Sequence, residues 1–386
     1  MTARNVVVVA PLSPGTASLH LGAAKKIELV LGLLHRLGYS LHLVDSSHPT
    51  LRFAEPVIAQ ACMVGSTPVT LWRPRCLPSR KLGKLLNVVA AHAFIDRLRS
   101  LSPAFVWVYN SYSFEARAAL HLKRRAGSRV VLELEDLPRA RGRSFNPKPW
   151  LDQYFFPRLL AAADLVTCVN AGMQRQFVRP GQRSLLFPSL LQQALVDAVV
   201  LPRFRKPTHR LGYFGGLESE KGADVLLAAV ARLPVGWTLV VTGVGSLADA
   251  FAEAQRAHPA QLEFHGRVAH EQVLSLMQGC DAIVNPHTPI AQMHDGVFPF
   301  KVCEALASGA LLVSTALPSI DIELSRSVLS FDGSAAGLQD ALTQAGRFYA
   351  DHADTIAQTR AEICTRFSEA SVLQQLRAEL DAVLVE

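Results

Sequence analysis

The sequence contains no window of about 18 uncharged apolar residues, the length a membrane-spanning helix requires, so no span is expected. Its six cysteines (Cys62, Cys76, Cys168, Cys280, Cys303 and Cys364) are scattered, and no two stand at metal-ligand spacing. That excludes a cysteine metal knuckle and points to reduced, mostly buried thiols in a cytoplasmic setting. No GxxxxGK[ST] stretch is present, which argues against ATP hydrolysis, and no GxGxxG follows the first apolar run. No Asp-x-Asp pair stands at the end of an expected strand, so no metal site is expected. No nucleic-acid-binding motif accompanies the basic clusters, which excludes that partner class. The opening "MTARNVVVVAPLSPG" has a short apolar run without a small-residue cleavage site after a longer one. It reads as a first buried strand rather than a secretory leader.

What is present is length and apolar content. At 386 residues and 49% apolar, the chain suits two domains of about 150–200 residues, each with its own core. Charge is unevenly divided. Residues 1–200 hold 25 lysines and arginines against 11 acids, a net +14, whereas residues 201–386 hold 14 against 21, a net −7. Only the first part is therefore suited to face something anionic. Its basic clusters are Arg73, Arg75, Arg80, Lys81 and Lys84, then Lys123, Arg124, Arg125 and Arg129, then Arg139, Arg141 and Arg143. An anionic membrane surface is the candidate partner for residues 72–84, with Trp72 and Leu77 as interfacial contacts. Ordinary solvated surface is the alternative.

Apolar runs and helical spacings alternate along the chain. "NVVVVAPL" reads as a buried parallel strand, "AAKKIELVLGLLHRLG" as a helix closed by Gly38, and "YSLHLVDSS" as a strand. "AFVWVYN", "SFEARAALHLKRRAG", "SRVVLELED", "LLAAADLVTCVNAG" and "RSLLFPS" continue the pattern. A looser stretch from Leu190 to His209 reads as a linker. The alternation then restarts with "RLGYFGG" and continues through "GADVLLAAVARLP", "WTLVVTGVG", "LADAFAEAQRAH", "LEFHGRV", "HEQVLSLMQGC", "DAIVNP", "ALLVST" and "SVLSF". Two blocks of alternating elements predict two doubly wound parallel-sheet domains, with ligands at the carboxyl ends of the strands and a cleft between the domains.

Four loops follow expected strands of the second block: "GGLESEKG", "TGVGS", "HGRV" and "NPHTPIAQMHDGVFPFK". Glycine lets backbone N–H groups approach a phosphate, and a following helix start favours negative charge. Lys221, at a helix start, suits a diphosphate, with an ordinary solvated lysine as the alternative. The segment "GVFPFKVCEALASGALLVS" is apolar throughout but carries Lys301 and Glu304, three residues apart. A buried Glu304 needs hydrogen-bond donors, and two neighbouring sugar hydroxyls would serve.

"YFGGLESEKGADVLLAA", "TLVVTGVG", "LEFHGRVAHEQVLSLMQGCDAIVNP" and "FPFKVCEALASGALLVS" come in the order and at the spacing of one family. Over residues 210–320 the chain resembles the donor domain of family 4 glycosyltransferases (group 1), which have the GT-B fold. "AADLVTCVNAGM" resembles their first domain more loosely, and "TRFSEASVLQQLRAEL" their terminal helix. The resemblance implies an α/β GT-B chain of two doubly wound, Rossmann-like parallel-sheet domains facing a cleft. The first, over residues 1–195, would bind the acceptor, with the helix 368–386 packing back on it. The second, over residues 205–367, would bind a nucleotide sugar.

Roles follow by position. Glu304 matches the glutamate that holds the donor ribose, and Lys221 the lysine on the diphosphate. Val268, after Arg267 in "HGR", matches the position at the base. Val297, Phe298, Pro299 and Phe300 match the segment whose N–H groups meet sugar and phosphate, and Gly15 or Gly22 would approach the transferred sugar. Gly216 and Gly243 fall in the donor loops. The chain also departs from the family. Gly296 stands where the first motif glutamate is expected, beside Asp295. Gly216 replaces a frequent arginine, leaving Lys301 or Arg267 to supply the charge. Glu135 and Asp136 occupy the place of a frequent histidine, as candidate bases for the acceptor hydroxyl. The expected function is a retaining, metal-independent hexosyltransferase with no cofactor, moving a sugar from a nucleotide-diphosphate sugar to a sugar or lipid-linked hydroxyl in envelope polysaccharide or glycolipid synthesis. The alternatives are a GT-B nucleotide-sugar epimerase and a non-catalytic donor-binding partner subunit.

Overall fold

In the computed structural model the described residues are 4–12, 14, 21–47, 57–74, 92–135, 148–187, 190–198, 204, 208–287, 300–317, 320 and 322–385. The chain divides into two compact units. The first holds Met1–Val169, Met173–Phe187 and Leu373–Glu386, and the second holds Asn170–Gly172 and Pro188–Val372.

The sheet of the first unit contains β1 (Asn5–Ala10), β2 (Ser40–Asp45), β3 (Val57–Val64), β4 (Thr67–Arg73), β5 (Phe105–Tyr109), β6 (Arg129–Leu134), β7 (Leu165–Cys168) and β8 (Arg183–Leu186). Their spatial order is β3-β4-β2-β1-β5-β6-β7-β8. Val6 to Val9 in β1 are at most 1% exposed, because a central parallel strand is covered on both faces. That is why its sequence is a continuous apolar run rather than an alternating one. Helices Leu21–Arg36, His92–Arg99, Ser113–Ala126 and Lys148–Ala162 occur between the strands. The third of these ends at Gly127, whose φ of 68° supplies the left-handed cap that a side chain would oppose.

The second unit holds β9 (Arg210–Phe214), β10 (Thr238–Thr242), β11 (Leu262–Phe264), β12 (Ala282–Asn285), β13 (Leu311–Ser314) and β14 (Val328–Ser330), ordered β11-β10-β9-β12-β13-β14. Every neighbouring pair in it is parallel. Leu211, Leu239, Val241, Phe251, Leu311, Val313, Leu338 and Leu342 pack into one core. The strand order reverses between β9 and β12, the kind of point at which open α/β sheets bind ligands.

The fold class is thus the expected one, two doubly wound parallel sheets, with three additions. First, β3 runs antiparallel to β4, forming an edge hairpin. The edge strand "VIAQACMV" faces solvent along most of its length, and β4 alternates buried and more exposed positions with Pro68 near its start, so neither reads as a continuous apolar run. Second, the single helix Ala335–Phe367 spans 33 residues, of which only the last three belong to an expected element. Its N-cap is Ser334, whose hydroxyl accepts from Gly337 N–H at 2.9 Å. Third, the terminal stretch "TRFSEASVLQQLRAEL" is divided at Ser368, whose ψ of 150° ends one helix before the next begins at Glu369.

Candidate functional site

β9 to β12 run in one direction, so the loops after them emerge on one edge of the sheet. Backbone hydrogen bonds connect these loops. Gly215 N–H donates to Thr242 O at 2.9 Å, and Leu217 N–H to Val244 O at 2.9 Å. Gly243 N–H donates to Gly266 O at 2.8 Å. Glu218 adds a side-chain link, accepting from Ser246 N–H at 3.0 Å and from the Ser246 hydroxyl. Those two donors hold its carboxyl below the ordinary carboxylate value. Gly222, with φ of 75°, lies so close to the Pro286 carbonyl that a Cβ would overlap it.

Helix Phe300–Ala307 contributes the charged pair. Lys301 and Glu304 are one turn apart and so share a helix face. The Lys301 ammonium lies where a Cβ on Gly215 would be, and 5.1 Å from the centroid of the Tyr213 ring. The Tyr213 hydroxyl donates to Gly216 O at 2.6 Å, and burial raises its pKa. Glu304 is 7% exposed, and its Oε1 lies 3.9 Å from His270 Nε2. The helix is fixed at its other end by Arg360, whose Nε donates to Ala307 O at 2.8 Å. This edge therefore gathers a lysine, a nearly buried carboxylate and closely spaced glycine backbone, a combination suited to a ligand that presents both phosphate and hydroxyl groups.

Of the expected donor residues, Gly216, Lys221, Gly243, Arg267, Val268, Phe300, Lys301 and Glu304 lie in the loops and helix that follow the strands of this sheet. Gly216 and Lys221 are exposed in the first loop, and a Cβ on Gly216 would stand 4.0 Å from Lys221 Cγ. Gly243 and Val268 are half-buried, and Arg267 is exposed. Phe300 opens the helix. Gly22 lies in the first turn of helix Leu21–Arg36 in the first unit. Gly15, Asp136, Asp295, Phe298 and Pro299 lie outside the described residues, as do Val297, Arg75, Leu77, Arg80, Lys81 and Lys84. One expectation is corrected. Trp72 is 6% exposed, donates to His42 Nδ1 at 3.2 Å and meets Phe94 edge-on, so it is not an interfacial contact. Arg73 beside it pairs with Asp45 at 2.8 Å. His270, Tyr213 and Glu218 went unnoticed in the sequence, because only the folded edge places them beside Glu304, Lys301 and Ser246.

In the first unit, Glu135 follows β6 directly and its N–H donates to Asn110 Oδ1 at 2.8 Å. Its Oε1 meets Lys26 Nζ at 2.9 Å. Lys26, 3% exposed, also donates to Phe187 O at 2.7 Å and lies 3.9 Å from that ring's centroid. Glu133, two residues earlier, is 2% exposed and accepts from Trp107 Nε1 at 2.8 Å. Its carboxyl is raised to about 8, chiefly by burial; Lys26 opposes the rise and Glu135 adds to it. Neither Lys26 nor Glu133 was singled out in the sequence, although a glutamate inside the apolar run "VVLEL" is the signal that marks it.

Residues 208–345 match the family described as Glycosyl transferases group 1. No curated protein matches the sequence at a significant level. Among solved structures, the chain is similar to sucrose-phosphate synthase from Thermosynechococcus elongatus, with a TM-score of 0.71 and 14% identity over 99% of both chains. It is also similar to HepE from Anabaena in complex with UDP, with a TM-score of 0.65 and 16% identity over 98% of this chain and 100% of that one. A third is the lipopolysaccharide outer core galactosyltransferase WaaB, with a TM-score of 0.63 and 12% identity over 98% and 99%. At such identities these likenesses bear on the fold, which is GT-B.

Proposed function

We propose, on the premise that residues 208–345 form a group 1 glycosyl transferase domain in a GT-B chain, that the protein is a retaining hexosyltransferase using a nucleotide-diphosphate sugar. The observation that carries this reading is the Lys301 ammonium set against the Gly215 backbone, with Glu304 on the same helix face. In this reading Glu304 accepts from the ribose hydroxyls of the donor. Lys301 and Lys221 neutralise the charge that develops on the diphosphate as the bond to the sugar breaks, with help from loop N–H groups. Two lysines supplying that charge support a reaction without a metal ion. Uridine diphosphate is the first nucleotide to test, because solved complexes of the Anabaena protein hold UDP and UDP-glucose.

The first unit would take the acceptor, with Glu135 facing its hydroxyl. The +14 charge of residues 1–200 supports an acceptor, sugar or lipid-linked, that carries anionic groups or lies on an anionic surface. Envelope polysaccharide or glycolipid synthesis is the setting that fits such an acceptor. The test is a panel of nucleotide sugars read by thermal unfolding. A donor at 100 times its Kd adds about 2.7 kcal/mol of stability. The stabilising donor is then incubated with candidate acceptors, and the anomeric configuration of the product is read by nuclear magnetic resonance. An inverted product, or epimerisation without transfer, overturns the reading.

A further inference from the structure

We propose that Lys26 and Glu133 are positioning residues for the acceptor side of the reaction. Lys26 holds Glu135 as an ionised hydrogen-bond acceptor for an incoming sugar hydroxyl, while Glu133 keeps its proton. The inference rests on the functional reading above and assigns its acceptor side.

The geometry separates the two carboxyl groups. Lys26 Nζ is 2.9 Å from Glu135 Oε1 but 3.7 Å from Glu133 Oε1, outside hydrogen-bond range. A second ammonium hydrogen is already committed to Phe187 O at 2.7 Å. Glu133 Oε2 takes the indole N–H of Trp107, and Oε1 has no hydrogen-bond partner among the described residues. One buried ammonium balances one carboxylate, and a second ionised carboxylate in the same pocket would be an uncompensated buried charge. The carboxyl at bonding distance from the ammonium is therefore the ionised one, and the more deeply buried Glu133 is neutral. The set Lys26⁺, Glu135⁻ and protonated Glu133 has no net charge. Asn110 fixes the backbone of Glu135 from the end of β5, so both the side chain and the main chain of that residue are held.

The groups facing Glu133 come from several elements. They are Lys26 on helix Leu21–Arg36, Glu135 beyond its own strand, Trp107 and Tyr109 on β5, and Thr167 opposite it on β7; Cys168, paired with Leu134, interacts electrostatically with Glu135 instead. Burial pushes the Cys168 thiol up to about 12, so it stays neutral wherever Glu133 titrates. Loss of the Glu133 proton places a second carboxylate beside Lys26, and the ammonium is then shared. The hold on Glu135 loosens, and the acceptor is held less well at alkaline pH.

The experiment compares wild type, Lys26→Met and Glu133→Gln for acceptor and donor kinetics across pH, with nucleotide-sugar binding read separately. Lys26→Met is expected to raise acceptor KM by roughly tenfold or more, the effect of losing one charged hydrogen bond, without a matching change in donor binding. Wild type is expected to lose acceptor kcat/KM near pH 8, and Glu133→Gln, whose amide cannot ionise, to lack that limb. If Lys26→Met does not fold, the infrared difference between wild type and Glu133→Gln at pH 6.5 decides. A protonated-carboxyl band supports the proposal, and its absence overturns it. The same alkaline limb in Glu133→Gln, or an unchanged acceptor KM in folded Lys26→Met, also overturns it. A protein that binds no nucleotide sugar at all overturns the functional reading instead, and the infrared comparison still reports the protonation of Glu133.

Discussion

The Lys301 ammonium occupies the space that a side chain on Gly215 would need. A residue on the helix after β12 is thus tied to the first residue after β9, across the point where the strand order of the second sheet reverses. Gly215→Ala should push the ammonium aside and lower donor turnover while the fold persists. Lys301→Ala and Lys221→Ala should each lower kcat roughly 10²–10³-fold if each stabilises the departing diphosphate. Steady-state kinetics of the three variants checks this. Wild-type turnover in Lys221→Ala would leave the diphosphate to Lys301 alone.

Glu304 is nearly buried and lies 3.9 Å from His270. Glu304→Gln removes the charge but keeps the shape, so donor affinity should fall by about 1–3 kcal/mol, the worth of a charged hydrogen bond or an orphaned partner. Calorimetric titration with nucleotide sugar measures it. Undiminished affinity in a folded variant would remove the ribose role.

Stability should fall as pH rises from about 5 to 8. The folded pKa of Glu133 is raised to about 8 by burial from an ordinary value near 4.5. Between those values the folded state binds the extra proton, so raising pH favours the unfolded chain, by roughly 1.4 kcal/mol per unit at most. The effect is absent below the ordinary value and constant above the folded one. Urea unfolding of wild type and Glu133→Gln at several pH values tests the sign. Wild type should lose stability relative to the variant up to pH 8 and hold a fixed difference beyond it.

Arg360 joins the end of helix Phe300–Ala307 to the segment before β9, donating to Ala307 O at 2.8 Å and to Ala198 O at 3.0 Å. Arg360→Ala leaves both carbonyls short of a charged donor and should cost about 1.5–3 kcal/mol. Because the helix it fixes carries Lys301 and Glu304, donor affinity should fall as well. Chemical denaturation and donor titration of one preparation read both effects.

Vesicle co-sedimentation tests the charge division between residues 1–200 and the rest. Binding to anionic vesicles at low salt, lost in neutral lipid and weakened as salt shortens the screening length, is expected for a surface role. A protein that stays in solution with anionic vesicles would confine the basic residues to the acceptor or to solubility.

The sequence by itself determined the parallel sheets. "NVVVVA" and "LLVS" are apolar at nearly every position because strands covered on both faces admit no polar alternation, and Gly243 and Gly245 after β10 mark where the backbone after β9 comes close. It also put Lys301 and Glu304 on one helix face, because their spacing of three residues is a single turn. The hairpin of β3 and β4 was not legible. An edge strand is specified by its pairing partner rather than by a buried pattern of its own. Nor was the cluster of Lys26, Trp107 and Glu133, residues far apart in sequence that meet only when a helix and two strands pack. Tertiary structure alone decided which carboxylate the buried ammonium pairs with. A distance of 2.9 Å against 3.7 Å, in surroundings where one charge can balance only one other, is set by packing and leaves no trace in composition or periodicity.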